Sequence, residues 1–270
     1  MLPMRNSGSI VASALSRVCL SVIVAALLNL TPALAKASIV FNWPSSPGWT
    51  AGSPTAGQTL MQSFTSVNPN DITVSINNSG AGSQGMNLQA GYPQISANPL
   101  TNGLSGVDGL QLFVSSSTTV GTYIKTTVSF ATPVINLSFQ IWDVDAVLGQ
   151  FADKISSIQA VSDLGATVGP DSVTSAVTGF NTIIGTGLST VVLGTANANN
   201  STNQGAINIT FNGPITQFSF QWSNNDPALG AQAIALGPLT YTPVPEFNTA
   251  CLSWSFCLGA ILFERLRRRR

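Results

Sequence analysis

Apolar and polar residues alternate in short runs along most of this chain. The clearest run sets Ile135, Leu137, Phe139 and Ile141 against Asn136, Ser138 and Gln140. A period of two is that of a strand with one buried face and one wet face. A second run sets Ile207, Ile209 and Phe211 against Asn208 and Thr210. After Asn212-Gly213-Pro214, a third places Phe218, Phe220 and Trp222 on one face, and the two runs read as a hairpin or close connection. Weaker strands are expected at Ile39–Trp43, Leu60–Val67, Ile72–Ile76, Leu110–Val114, Thr122–Phe130, Lys154–Val161, Leu188–Leu193 and Ala233–Tyr241. Between the two ends no stretch has the 3.6-residue period of an amphipathic helix. Many short strands with turn-rich joints predict an all-β fold, a two-sheet antiparallel β-sandwich of jelly-roll-like form. Gly80 to Gly106 and Thr195 to Gly205 read as long loops.

The ends depart from this pattern. Arg5 and Arg17 precede the apolar run Val18 to Leu30, and Ala33-Leu34-Ala35 follows. That order is a signal peptide over residues 1–35, cut after Ala35 with Ala33 and Ala35 in the cleavage motif. The run is too short to span a bilayer, which takes about 20 residues. At the other end, residues 242–270 form a tail. Thr242-Pro243-Val244-Pro245-Glu246 is extended and proline-rich, because each proline fixes φ and disfavours helix before it. A largely apolar stretch, Phe247 to Phe263, predicts a transmembrane helix over about 247–263. Arg265, Arg267, Arg268, Arg269 and Arg270 then act as a stop-transfer cluster that stays cytoplasmic. Residues 36–241 remain as one extracellular domain.

Val244-Pro245-Glu246, an apolar helix and a terminal arginine run resemble the PEP-CTERM sorting tail of exopolysaccharide-producing Gram-negative bacteria. The resemblance covers about the last 28 residues. The usual motif is Val-Pro-Glu-Pro, and Phe247 stands where the second proline belongs. The resemblance implies two processing partners, signal peptidase and the membrane transpeptidase exosortase. It also implies an inner-membrane anchor before tail processing, and a final place in the cell envelope or extracellular matrix. The second half of the domain resembles secreted sandwich domains often attached to this tail. The residues that carry it are Leu137 to Asp145, Asp153-Lys154-Ile155, Ile209-Thr210-Phe211 and Gln232-Ala233-Ile234.

Composition narrows the function classes. Charged residues are 7% of the chain, against about 25% in ordinary soluble domains. Between Ala37 and Thr242 two lysines, Lys125 and Lys154, face eight aspartates, a net of −6. Such a domain cannot neutralise phosphates, so nucleic acid is excluded as a partner. Histidine is absent, and the three cysteines (Cys19, Cys251 and Cys257) all fall in the ends. Histidine-dependent triads and zinc catalysis are excluded with them.

Three candidate chemistries remain. Asp143, Asp145 and Asp153 are the only dense acidic cluster, and the first two would share a face if both lay on a strand. Three carboxylates with main-chain carbonyls suit calcium, although the spacing is not that of an EF-hand. The plainer reading is a strand end running into a solvated acidic turn. The same acids are the only material for a glycosidase pair. Trp142 falls on the polar face of its strand, and Trp222 precedes Asn224 and Asp226 on a loop. Those four residues are a candidate glycan-binding set, with exopolysaccharide the implied ligand. The leading expectation is a non-catalytic surface or matrix protein that works by adhesion or weak glycan binding. The alternatives are an extracellular carbohydrate-active enzyme using aspartates, and a purely structural coat component.

Overall fold

A computed structural model describes residues 37–244 apart from 47, 66–71, 80–85, 97–106, 116–120 and 229. The signal peptide, the sorting residues Pro245 and Glu246, the apolar segment and the arginine cluster lie outside the described residues. So does most of the Gly80 to Gly106 loop. Residues 37–244 form one compact unit.

The first half of the domain contributes β1 (Ile39–Phe41), β2 (Thr59–Phe64), β3 (Ile72–Asn78), β4 (Gln94–Ser96) and β5 (Gly109–Val114). The long β6 (Ile124–Trp142) follows, then β7 (Ala146–Val147), β8 (Phe151–Ser162) and β9 (Thr167–Val168). The domain is completed by β10 (Ser172–Ser175), β11 (Asn181–Ile184), β12 (Val191–Gly194), β13 (Ile207–Phe211), β14 (Ile215–Asn224) and β15 (Gln232–Pro243). Every pairing among them is antiparallel.

The ladder divides at β6. Its first half, Ile124 to Phe130, lies between β3 and β14, and this leaf continues through β8 to β12 and β11. Its second half, Val134 to Trp142, lies between β13 and β15, and this leaf carries β10, β5, β4 and β1. The two leaves pack face to face. Phe139 of the second stacks on Phe218 of the first, centroids 4.4 Å apart. Phe130 meets Tyr241, and Phe41 meets Phe64, across the same interior. The sandwich expected from alternation is therefore present as two aromatic-lined leaves sharing one strand.

Several expectations need correction. Thr122–Phe130 and the run from Ile135 are one strand, not two, because Pro133 sits where β6 passes between leaves and needs no ladder donor there. Ile135 does not share the buried face with Leu137; Val134 does. Asn136 adopts φ 53°, and two residues of β15, Thr240 and Thr242, span Ser138 to Ile135. That is a bulge, which shifts the alternation by one. Ser157 does the same to β8 at φ 49°, moving the inward set from Asp153 and Ile155 to Ile158 and Ala160. The runs at 207–211 and 218–222 are closely connected but form no hairpin. β13 pairs with β10 and β6, whereas β14 pairs with β6 and β8, so Asn212-Gly213-Pro214 crosses from one leaf to the other. Leu188 lies in a short 3₁₀ turn ahead of β12 rather than in the strand. The last strand runs to Pro243, and the Val244 amide donates to the Pro133 carbonyl, so pairing extends past Tyr241.

Candidate functional site

The three aspartates meet at one end of the sandwich. β6 ends at Trp142, and Asp143 takes the left-handed conformation, φ 64°, which Asp tolerates better than most residues. Asp143 and Asp145 therefore do not alternate along a strand; they sit in the turn between β6 and β7. The β7–β8 hairpin returns the chain so that the Asp153 amide donates to the Asp145 carbonyl at 2.9 Å. The Asn- and Thr-rich loop after β12 closes over this turn. The Val144 amide donates to Gly205, and the Ala146 amide donates to Ala196. Gly194 is required beside it, since a Cβ there would press onto the main-chain oxygen of Asp145.

All three carboxylates are buried. The Trp222 indole donates to Asp153 Oδ1 at 2.7 Å, and the Asp145 amide donates to Asp153 Oδ2 at 3.2 Å. Asp145 Oδ2 accepts the Ala198 amide at 2.7 Å. Asp143 Oδ1 is buried and has no hydrogen-bond partner. Burial, then repulsion from Asp145, pushes the Asp143 carboxyl up from 3.8 to about 8. Burial raises Asp145 to about 6, against the opposing pull of the Ala198 amide. Asp153 is raised well above its ordinary value by burial first and by the charge of Asp145 next, despite the Trp222 and Asp145 donors. No lysine contributes to these shifts. Lys154 alternates away from Asp153 along β8.

The expected glycan platform is not there. Trp142 is on the outer face of its leaf, as its parity implies, yet it is only 1% exposed. It packs with Ala206 and Ala235, with Val107 and Ala176 against them. Its berth exists because Gly109 and Gly237 have no side chains: a Cβ on either would come within 2.8 Å of the indole. The indole N–H donates to Gln140 at 2.8 Å. Trp222 is fully buried, its ring in the main core and its N–H spent on Asp153. Asn224 Oδ1 accepts the Ala152 and Asp226 amides, and Asp226 Oδ1 accepts the Ala228 amide. These two side chains shape the turn after β14 rather than line a cleft with an aromatic floor. Trp43 is buried with its N–H on Gly237, and Trp49 is half-buried with its N–H on Gly52.

What the outer faces do offer is amide and hydroxyl. On one leaf Ser63 pairs with Thr73, and Asn77 donates to Thr59. On the other, Gln140 donates to Asn208 at 2.7 Å and Asn208 to Thr174. Alternation located Gln140 and Asn208 on the polar faces of their strands, but not that their side chains would join across strands.

No family model and no curated protein matches the chain. Among solved structures it is similar to the N-terminal domain of an adhesin from Streptococcus gordonii, at 11% identity and a TM-score of 0.29. That match covers 77% of this chain and 49% of the adhesin domain, so the chain spans about half the latter's length. It is also similar to a carbohydrate-binding module of the β-sandwich superfamily, at 12% identity and a TM-score of 0.22, covering 78% and 99%. Scores at that level place the chain in neither group. Among the described residues, no helix is long and apolar enough to cross a membrane.

Proposed function

We propose that this chain is an exported, non-catalytic surface or matrix protein, sorted by its C-terminal tail and acting by adhesion or weak glycan contact. The observation that carries the non-catalytic part is the burial of Asp143, Asp145 and Asp153. A glycosidase acid and its partner must flank the scissile bond. Here the acid cluster of the described residues is sealed beneath the Asn- and Thr-rich loop, and both Asp153 oxygens and Asp145 Oδ2 are taken by Trp222 and main-chain amides. Contact with a glycan then falls to the uncharged strand faces, where Gln140, Asn208, Thr174, Ser63 and Thr73 present amides and hydroxyls. Such contacts are weak singly, because each replaces hydrogen bonds already made to water. Adhesion by this route requires many copies side by side, as at a tethered or matrix-embedded surface.

The export half of the reading rests on the order of elements at the two ends. Signal peptidase removes residues 1–35, the apolar segment holds the protein in the inner membrane, and exosortase acts at Val244-Pro245-Glu246. The test is to incubate the mature protein with exopolysaccharide from its host. Co-sedimentation without release of new reducing ends is expected. Release of reducing ends that scales with protein concentration would establish the aspartate enzyme instead. Neither binding nor release would leave the structural coat component.

A further inference from the structure

We propose that the turn carrying Asp143, Asp145 and Asp153 is a binding site for a divalent, oxygen-preferring cation of the calcium type. The three carboxylates come from one short stretch of chain and are buried together with no basic side chain acting on them. The groups facing them are the Trp222 indole from β14 and the Ala198 and Asp145 amides, which are donors but carry no charge. The loop from Thr195 to Gly205 contains no titratable residue. Negative charge at this point is neutralised by protons or by an added cation, because the chain supplies nothing else.

Asp143 distinguishes these alternatives. Its residue is only 9% exposed, and its Oδ1 has no donor, unlike the engaged oxygens of its neighbours. A buried acceptor left unpaired in the free protein is what a ligand oxygen looks like before its ion arrives. Asp143 stands two residues before Asp145 in the same turn, and the Asp145 amide donates to Asp153 Oδ2 at 3.2 Å while the Asp153 amide donates to the Asp145 carbonyl at 2.9 Å, so the three residues meet at one end of the sandwich. Among the described residues, no three acidic, cysteine or histidine side chains already stand around one ion position. Binding on this proposal requires the Asp143 carboxylate to turn toward that of Asp145, with main-chain or water oxygens completing the six to eight ligands calcium takes. Soft or imidazole-preferring metals are disfavoured by an all-oxygen set.

The experiment uses the full mature protein stripped with EDTA. Calcium is added during thermal melts and calorimetric titration, in parallel with magnesium. A saturable rise in Tm with calcium is expected, with heat of binding at one site per chain, and both lost in Asp143→Asn. That variant keeps the shape of the side chain and suits the left-handed backbone. Terbium gives a readout independent of any variant: its emission, excited through the tryptophans, should appear on binding and be displaced by calcium. An unchanged Tm, no heat and no displaceable terbium emission would overturn the proposal and leave protons as the neutralising partner. Calcium binding that persists unchanged in a folded Asp143→Asn protein would overturn it as well. Neither failure bears on the test with exopolysaccharide, which needs no metal.

Discussion

Replacing Asp143 by Asn should make the metal-free protein more stable at neutral and alkaline pH, and leave it nearly unchanged in acid. The folded carboxyl is raised from 3.8 to about 8, so the native state holds its proton more tightly than the unfolded chain does. The stability linked to that proton is fully present below about pH 4, and is lost as pH rises through the folded value near 8. A gap of roughly 4 units at 1.36 kcal/mol each bounds the loss at about 5–6 kcal/mol. Water entry and local relaxation reduce such penalties, so about 1–4 kcal/mol is expected. The variant removes the ionisation without removing volume, and Asn accepts φ 64° as readily as Asp. The assay is urea unfolding of both proteins in EDTA, at roughly pH 4 and pH 8. The two stabilities should be close in acid and diverge in favour of the variant at the higher pH. A difference that is the same at both pH values would refute the reasoning, since it would show that Asp143 is not buried in its charged form.

Three further outcomes follow from packing. Gly194→Ala should destabilise by at least about 3 kcal/mol in the same assay, because the obstacle is the main-chain oxygen of Asp145 rather than a movable side chain. Trp142→Ala should cost about 3–5 kcal/mol, as for a core tryptophan, while a residue standing exposed on the polar face would lose less than about 1. At Asn136, φ 53° should make Gly almost neutral and Val costlier by about 1–2 kcal/mol, which thermal melts of the pair would resolve.

The strands with strict alternation were legible from the sequence, because burial of one face imposes the period directly. Ile207 to Phe211 is an example; Phe218 to Trp222 alternates in sequence too, although Ser219 between the two phenylalanines is also buried. Alternation carries no information about partners, so the division of these two runs between leaves was not legible. Asn136 is a residue type that favours the left-handed region, and its bulge was in principle detectable. Ser157 gives no such signal. The strands β4, β7, β9, β10 and β11 are two to four residues long, too short for a period to appear. At the site, the residue types and their clustering were visible, but their burial was not. Trp142 shows why: its facing direction followed from parity, while the glycines that give it a berth, Gly109 and Gly237, lie far off in sequence. Asp153 needed Trp222 from β14 and a hairpin of its own to meet Asp145.

Export and sorting of this sandwich come before any contact it makes outside the cell. The most direct measurement is the intact mass of the protein recovered from envelope and medium fractions of its host. A species that begins at Lys36 and ends near Glu246 is the predicted result. A protein found only in the cytoplasm, with both Met1 and Arg270 still attached, would contradict it.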